Sequence, residues 1–120
     1  MAAPDAIAPD GSEIRLLVTG AARASLVEVT LPAGAISRPV RHRTVEEIWF
    51  FIEGRGQVWV GGQVTAVEPG ARVVIPTGVP FQFAAAAGGP LRFLCYTSPP
   101  WPGEDEAETV AGGGLGAPTV

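Results

Sequence analysis

The feature that most constrains the fold of this chain is a regular series of short β-type segments separated by turn residues. The segments are rich in Val, Ile, Phe, Trp and Thr, and Gly or Pro residues interrupt the chain between them. β-branched and aromatic residues favour strands, whereas Gly and Pro favour the turns that join them. The pattern predicts strands over residues 13–19, 24–31, 40–43, 47–52, 57–60, 63–67, 72–75, 81–85 and 91–97.

The clearest single turn is Gly61-Gly62, which lies between two of these segments. A tight two-residue hairpin turn needs positive φ at both central positions, and glycine adopts such angles without steric cost. The most helix-like run, residues 84–87, is four alanines followed by Gly-Gly-Pro, which is too short to hold a helix. Many short strands without a long helix predict an all-β fold, either a sandwich or a barrel.

The length of 120 residues fits one domain. Residues 1–11 are rich in Ala, Pro and Asp and predict a flexible arm, and residues 12–98 form the predicted barrel domain. Residues 99–120 are rich in Pro, Gly and acidic side chains, which predicts a flexible tail. Trp101 stands between prolines in this tail, so we expect it to anchor the tail on the barrel wall or on a neighbouring subunit.

Charge and composition exclude several classes of function. The net charge is −4 and no basic cluster is present, which argues against nucleic-acid binding. No stretch approaches the roughly 18 apolar residues of a membrane span. The first ten residues lack the features of a signal peptide, so we expect a cytoplasmic protein without membrane association. The single cysteine, Cys95, lies in an apolar segment, which indicates a buried, inert thiol.

Two stretches, residues 41–54 and 70–81, carry glycine, proline and glutamate at fixed spacings. They resemble the two motifs of the cupin family, G-x5-H-x-H-x(3,4)-E-x6-G and G-x5-P-x-G-x2-H-x3-N. The matching positions are Glu47, Gly54, Gly70, Pro76 and Gly78. The resemblance implies a single cupin barrel, a double-stranded β-helix of the jelly-roll type.

In the cupin family two His, one Glu and a third His converge on a metal ion inside the barrel. Of these positions this sequence keeps Glu47, while Arg41, Arg43 and Phe81 stand where the family has His. Guanidinium stays protonated and offers no lone pair, so Arg cannot ligate a metal. The resemblance therefore implies a barrel without a tightly held metal, and weak binding of a divalent metal stays open.

The family also admits a spacer that is one residue longer, and this spacing brings His42 to the second ligand position. His42 and Glu47 would then supply two ligands, which is still too few for a transition-metal site. Three roles stay open for His42, the one histidine of the chain. They are an exposed or interfacial residue, a metal ligand, and the acid–base group of a catalytic pair with Glu47.

Strand parity predicts a ligand pocket inside the barrel. Alternate residues of a strand point to the same side. With Glu47 inward, an unbroken strand also turns Arg41, Arg43, Trp49 and Phe51 inward. Two guanidinium groups suit a carboxylate or other anionic ligand. The alternative for both Arg residues is a solvated position on the barrel rim.

Phe81 and Phe83 share one face of a strand, so they either fill the core or form the opposite wall of the predicted pocket. By the family resemblance this strand faces the first motif, so the pocket has an apolar floor and a charged rim. The inward facing of both Arg residues depends on an unbroken strand through the turn at residues 44–45. A bulge there would reverse the parity and turn His42 inward in place of the two Arg residues.

The strand over residues 47–52 is apolar on both of its faces. With Glu47 inward, the side chains of Ile48, Phe50 and Ile52 face away from the barrel interior. One core buries only one face of a strand, so we expect the other face to be covered in a homodimer.

Three functions from different classes are compatible with the sequence. The favoured one is a metal-free barrel that binds a small, anionic or mixed-polarity molecule. The second is an enzyme, either an isomerase or epimerase-like cupin that uses His42 or Glu47 as a base, or an oxygenase with a weakly bound metal. The third is an assembly module with a filled barrel. Pocket volume distinguishes the third function from the others, and metal content distinguishes the oxygenase.

Overall fold

The computed structural model describes residues 3–120, and these residues form two β-sheets that bury one shared core. In chain order the strands are β1 (Ala6–Ile7), β2 (Glu13–Val18), β3 (Ser25–Leu31), β4 (Val40–His42), β5 (Glu46–Glu53), β6 (Gly56–Val60), β7 (Gln63–Val67), β8 (Arg72–Ile75), β9 (Phe81–Ala85), β10 (Leu91–Ser98) and β11 (Ala107–Thr109). The six-stranded sheet has the order β1-β2-β3-β10-β5-β8, and the five-stranded sheet has the order β11-β4-β9-β6-β7. Within residues 3–120 one 3₁₀ turn occurs, at Glu104–Glu106, and no helix has the length and apolar character that crossing a bilayer requires.

The all-β barrel predicted from the sequence is confirmed. Every predicted strand is present, with ends that agree to within a single residue. Gly61 and Gly62 have φ angles of 54° and 93°, and they join β6 to β7 in the predicted two-residue hairpin. The two strands that the prediction lacks, β1 and β11, have two and three residues, which is too short for an alternating pattern to be visible.

Alternation along the strands places one face of each sheet in the core. In β5, Trp49 and Phe51 are buried, while Phe50 between them is exposed. Trp49 stacks on Phe93 of β10 with ring centroids 4.2 Å apart, and it meets Phe83 of β9 edge-on at 5.1 Å. Rings from both sheets therefore interlock, and truncating such a ring to Ala typically costs about 3–5 kcal/mol.

Gly54, which ends the first motif, is required by the close approach of two chain segments. Its φ angle is 83°, and a Cβ atom at this position would lie 2.1 Å from the carbonyl oxygen of Pro90. Any other residue would push the turn between β5 and β6 away from the start of β10. The glycine thus serves the packing of the barrel.

The arm at residues 1–11 contacts the barrel wherever the structure describes it. Residues 1–2 lie outside the described part. The amide N–H of Asp5 donates to the carbonyl oxygen of Ile14 in β2 at 2.8 Å, and Ala8 packs against the core. The sequence analysis expected a flexible arm, whereas backbone hydrogen bonds attach it to the edge of the six-stranded sheet.

The segment after β11 lies on the outer face of the five-stranded sheet. Gln82 of β9 is fully buried beneath it, and its amide donates to the carbonyl oxygen of Gly116 at 2.9 Å. The backbone N–H of Leu115 donates to Oε1 of Gln82 at 2.8 Å. Gly114 lies so close to Trp59 of β6 that a Cβ atom would be 2.2 Å from Cδ1 of the indole. The expected flexible tail is therefore hydrogen-bonded to the sheet, and the domain boundaries at residues 12 and 98 stay a prediction.

The outer face of the six-stranded sheet carries large apolar side chains that remain exposed. Ile48 and Phe50 of β5 stand beside Tyr96 and Leu94 of β10, and Ile48 also pairs with Val74 of β8. Phe50 and Tyr96 are each 43% exposed. Soluble monomers rarely expose contiguous apolar patches larger than a few hundred Å². This face is therefore suited to a protein contact.

We propose that a second copy of the chain covers this face, because its apolar residues are contiguous across three strands. Phe50→Glu places a carboxylate at the centre of the contact and is expected to convert the dimer to a monomer at micromolar concentration. Light scattering measures the change. Val64→Glu is the matched control, since Val64 is 49% exposed on β7 of the other sheet. A monomeric mass for the unchanged protein would contradict the proposal.

Candidate functional site

The structure reverses the expected facing of residues 41–43. His42 points into the barrel and is 6% exposed. The side chains of Arg41 and Arg43 are 49% and 57% exposed, and both pair with Glu108 of β11. The distances are 2.6 Å from Nε of Arg41 and 3.2 Å from Nη2 of Arg43. The prediction that the two guanidinium groups line the pocket is wrong, and the alternative of a solvated rim is the one observed.

A bend between β4 and β5 is the physical reason for the reversal. β4 ends at His42 and β5 begins at Glu46, so the strand is not continuous through residues 43–45. The Glu106 carboxylate holds the bend, because Oε2 accepts from the backbone N–H of Thr44 at 2.7 Å and of Val45 at 3.1 Å. Oε1 of Glu106 also accepts from the Thr44 hydroxyl. The parity of β5 therefore does not extend back to β4.

His42 and Glu47 meet inside the barrel. Nε2 of His42 lies 3.1 Å from Oε1 of Glu47, and Nδ1 lies 3.9 Å from Oε2 of Glu106. Neither contact has the alignment of a hydrogen bond, so both buried ring nitrogens lack a hydrogen-bond partner within the described part of the chain. The imidazole stacks on Phe81 with centroids 5.2 Å apart. Because buried polar atoms normally have partners, these ring nitrogens are suited to bind a ligand or a water molecule.

Glu47 is fixed from two sides. Nε1 of Trp49 donates to Oε1 at 2.9 Å, and the hydroxyl of Thr97 donates to Oε2 at 3.1 Å. The Thr97 hydroxyl also lies 3.4 Å from the thiol sulfur of Cys95. These contacts hold the carboxylate in place whether or not His42 carries a proton.

The electrostatics of this pair favour an imidazolium beside a carboxylate. Burial raises the pKa of Glu47, but the contact with His42 and the Trp49 hydrogen bond outweigh it and leave the pKa below its ordinary value. Burial lowers the pKa of His42, but the carboxylates of Glu47, Glu106 and Asp10 outweigh it and leave the pKa above its ordinary value of 6.5. The ordinary pKa of histidine lies closest to neutral pH among the side chains, and in His42 this pKa is raised.

A cavity of about 30 Å³ adjoins the pair. Its floor and walls come from the barrel, and the two terminal segments close it, through Ala8, Pro9 and Asp10 on one side and Trp101 and Ala107 on the other. This volume accommodates only about one or two water molecules. A larger ligand therefore requires the terminal segments to move.

The cavity includes some of the predicted ligand-binding residues and excludes others. Glu47 and Trp49 line it, whereas Phe51, Phe81 and Phe83 are fully buried in the core beneath it. The core aromatic residues thus support the floor without reaching the cavity. Strand parity correctly predicts that these side chains point inward, but it does not show how far from the cavity they lie.

Most residues of the cavity lie outside the two motifs and are not among the site residues predicted from the sequence. Asp10 and Ser12 line it from the N-terminal side, and Trp101 lines it from the C-terminal side. The expectation that Trp101 anchors on the barrel wall is confirmed, because its ring packs against the core and its backbone N–H donates to the Ser25 hydroxyl at 2.9 Å. Burial raises the pKa of the Cys95 thiol well above its ordinary value, in agreement with an inert thiol.

The donor set does not fit a transition metal. Among the residues that the structure describes, no group of three or more His, Cys, Asp and Glu side chains is placed to hold an ion. Arg41 and Arg43 point outward, and Phe81 occupies the third His position with its ring against His42. Nε2 of His42 lies 3.1 Å from Oε1 of Glu47, so the charges of the imidazolium and the carboxylate compensate each other.

This chain belongs to the cupin family. The sequence model described as Cupin domain matches residues 27–97, which contain both motif stretches and the His42–Glu47 pair. A curated protein of Methanocaldococcus jannaschii, itself uncharacterised, is 33% identical over 103 residues, which is 82% of this chain and 82% of that protein.

Solved structures show the same fold. The polyketide cyclase of Streptomyces resistomycificus superposes with a TM-score of 0.71 at 24% identity, over 95% of this chain and 79% of that one. A nucleoside dehydratase gives a TM-score of 0.69 at 11% identity, over 84% and 79%. A cupin-2 domain protein of Rhodospirillum rubrum gives 0.67 at 27% identity, over 83% and 64%.

Loss of the Glu106 carboxylate should destabilise the fold. Glu106→Ala leaves two backbone N–H groups at the bend without their acceptor, and we expect the free energy of unfolding to fall by about 1–3 kcal/mol. Chemical denaturation measures this value. Glu104→Ala in the same 3₁₀ turn is the matched control, since Glu104 is exposed, and its effect should stay within about 0.5 kcal/mol. Equal effects of the two variants would show that the bend does not depend on Glu106.

The charge state of the His42–Glu47 pair is directly measurable, because the chain has a single histidine. Glu47→Gln removes the principal carboxylate that opposes the effect of burial, so the pKa of His42 should fall. Titration of the imidazole signals by NMR gives both values. An unchanged pKa of His42 in this variant would show that Glu47 does not cause the shift.

The pKa shifts of His42 and Glu47 determine how the stability of the fold depends on pH. The pKa of His42 is raised, so its contribution is full below about pH 6.5 and is lost as the pH rises through the folded-state value. The pKa of Glu47 is lowered, so its contribution is full above about pH 4.5 and is lost as the pH falls through its folded-state value. The pair therefore stabilises the fold most between these limits.

Proposed function

We propose that the His42–Glu47 cavity is a site of metal-independent proton transfer on a small molecule. His42 is the acid–base group, and Glu47 is its charged partner. The observation that carries this proposal is a buried imidazole, beside a fixed carboxylate and a cavity, whose two ring nitrogens lack an aligned partner within residues 3–120.

The roles of the two residues follow from their contacts. The ring of His42 is held against Phe81, so its nitrogens keep a defined direction. When the imidazole accepts a proton, the carboxylate 3.1 Å away stabilises the imidazolium that forms. Trp49 and Thr97 prevent Glu47 from turning away during this change. A positioned general base of this kind contributes about 10²–10⁴-fold to a rate.

The lining of the cavity defines the class of substrate. Trp49, Phe93 and Ile14 supply apolar surface, while Asp10, Ser12, His42 and Glu47 supply polar groups. This arrangement suits a small molecule with an apolar part and a carbonyl or hydroxyl group. An anionic group would meet the imidazolium of His42, since the guanidinium groups point outward. Dehydration and cyclisation, which give two structural relatives their names, both involve proton transfer.

A binding protein without turnover is the second candidate. With the terminal segments displaced, the aromatic floor would hold a small ligand as well as a substrate. The two functions differ in one respect only, which is whether a bond to hydrogen is broken in the bound molecule. Exchange of carbon-bound hydrogen with solvent therefore distinguishes them.

The test is an exchange assay in D₂O with a chelator present. A panel of small ketones, hydroxyketones and β-hydroxy acids is incubated with the protein, and NMR follows deuterium incorporation and product formation. We expect at least one compound to react, and His42→Gln to lower that rate by about 10²-fold or more. Arg41→Gln is the matched control on the same strand, because Arg41 faces solvent, and it should retain the rate.

Two outcomes would contradict the proposal. Activity that survives His42→Gln would show that His42 is not the base. Activity that the chelator abolishes would show that the reaction requires a metal ion. Thermal-shift binding of a compound that undergoes no exchange would favour the binding protein instead.

A further inference from the structure

Asp10 is a buried carboxyl group on the wall of the cavity, and it comes from outside the two motifs. It is 8% exposed and lines the cavity together with His42 and Glu47. Its Oδ1 accepts from the backbone N–H of Ser12 at 2.9 Å and from the Ser12 hydroxyl at 2.6 Å. Its carbonyl oxygen accepts from the backbone N–H of Arg38 at 2.8 Å, which ties the turn to the barrel.

The surroundings of Asp10 shift the pKa of its carboxyl group upward. Burial raises the pKa of its carboxyl group, and the negative charge of Glu47 raises it further. The Ser12 hydrogen bonds and the charge of His42 act in the opposite direction but leave the pKa above its ordinary value of 3.8. Cys95, the other titratable group of the cavity wall, is a neutral thiol and adds no charge.

When Asp10 is protonated, the Ser12 contacts leave Oδ2 as the oxygen that carries the proton. Both donors of Ser12 converge on Oδ1, so Oδ1 is the acceptor of the group. In the neutral acid the proton then resides on Oδ2, which becomes a hydrogen-bond donor. A carboxylic acid kept neutral in an apolar site is a strong donor to a developing enolate oxygen.

We propose that Asp10 is a second catalytic residue, which donates a hydrogen bond to the carbonyl oxygen of a small carbonyl substrate while His42 removes the proton from the adjacent carbon. This inference rests on the proposed function, and it narrows the substrate to a compound with an acidic C–H group next to a carbonyl.

The chemical step balances without any further reactant. The C–H bond breaks, its proton moves to a ring nitrogen of His42, and its electron pair forms a carbon–carbon double bond. The carbonyl oxygen takes the displaced charge and is stabilised by the O–H group of Asp10. The imidazolium then returns the proton, either to carbon in an isomerisation or to a leaving β-hydroxyl group, which departs as water.

The position of Asp10 in the chain also links its hydrogen bond to the closing of the cavity. Asp10 belongs to the segment that closes the cavity, together with Ala8 and Pro9. The backbone of this turn is internally bonded, since the N–H of Ala8 donates to the carbonyl oxygen of Ser12 at 2.9 Å. The donor is therefore brought to the substrate only when the segment is closed.

The first arm of the test is a titration that needs no substrate. The protein labelled with ¹³C at the aspartate carboxyl carbons has three such residues, and Asp10→Asn identifies the signal of Asp10. We expect Asp10 to titrate above its ordinary value of 3.8. An Asp10 carboxyl group that is already ionised at the pH of the exchange assay would overturn the neutral acid.

The second arm is exchange of the carbon-bound hydrogens of hydroxyacetone in D₂O, with the chelator present. Asp10→Ala should lower the rate by about 10²–10³-fold. Asp10→Asn should retain part of the rate, because an amide also donates, and should remove the alkaline limb of the pH profile. Asp105→Asn is the matched control and should change nothing.

The two proposals fail in different ways. Loss of exchange in His42→Gln, with unchanged rate and pH profile in both Asp10 variants, would overturn the role of Asp10 and leave His42 as the base. No exchange of hydroxyacetone by the unchanged protein would overturn the carbonyl substrate class. If other members of the panel still react through His42, the proposed function stands without this inference.

Discussion

The arrangement of the site depends on the contact between one carboxylate and one bend. Glu106 accepts hydrogen bonds from the backbone of Thr44 and Val45, and this contact separates β4 from β5. With the bend in place, His42 faces Glu47 inside the barrel and both neighbouring Arg residues face solvent. Without it, an uninterrupted strand would give the opposite facing. A contact between residues about sixty positions apart thus decides which side chains enter the barrel interior.

The fold was predictable because it depends on local patterns, which the sequence shows directly. Alternation in β5 and β10, the Gly61-Gly62 turn and the motif glycines each specify a local geometry, and together they define the barrel. The facing of residues 41–43 was not predictable in the same way. Parity holds only along a continuous strand, and the acidic stretch that contains Glu106 carries no sign of its partner. Asp10 was missed for a related reason, since a polar residue in a Pro-rich arm shows no periodicity that would mark it as buried.

In the proposed function an imidazole supplies the positive charge that a metal ion could supply elsewhere. The His42 ring is held between Phe81 and Glu47, so any positive charge that it carries depends on pH, as the charge of a metal ion does not. The Glu47 carboxylate beside it is held in position by Trp49 and Thr97.

The distribution of the three tryptophans gives the molecule a built-in set of optical reporters. Trp49 lies in the floor of the cavity, Trp101 lies in the part that closes it, and Trp59 lies beneath the C-terminal segment. Each indole therefore reports on a different layer of the protein. In variants that retain one tryptophan at a time, fluorescence would record the occupation of the interior, the displacement of the closing segment and the release of the C-terminal segment as separate events.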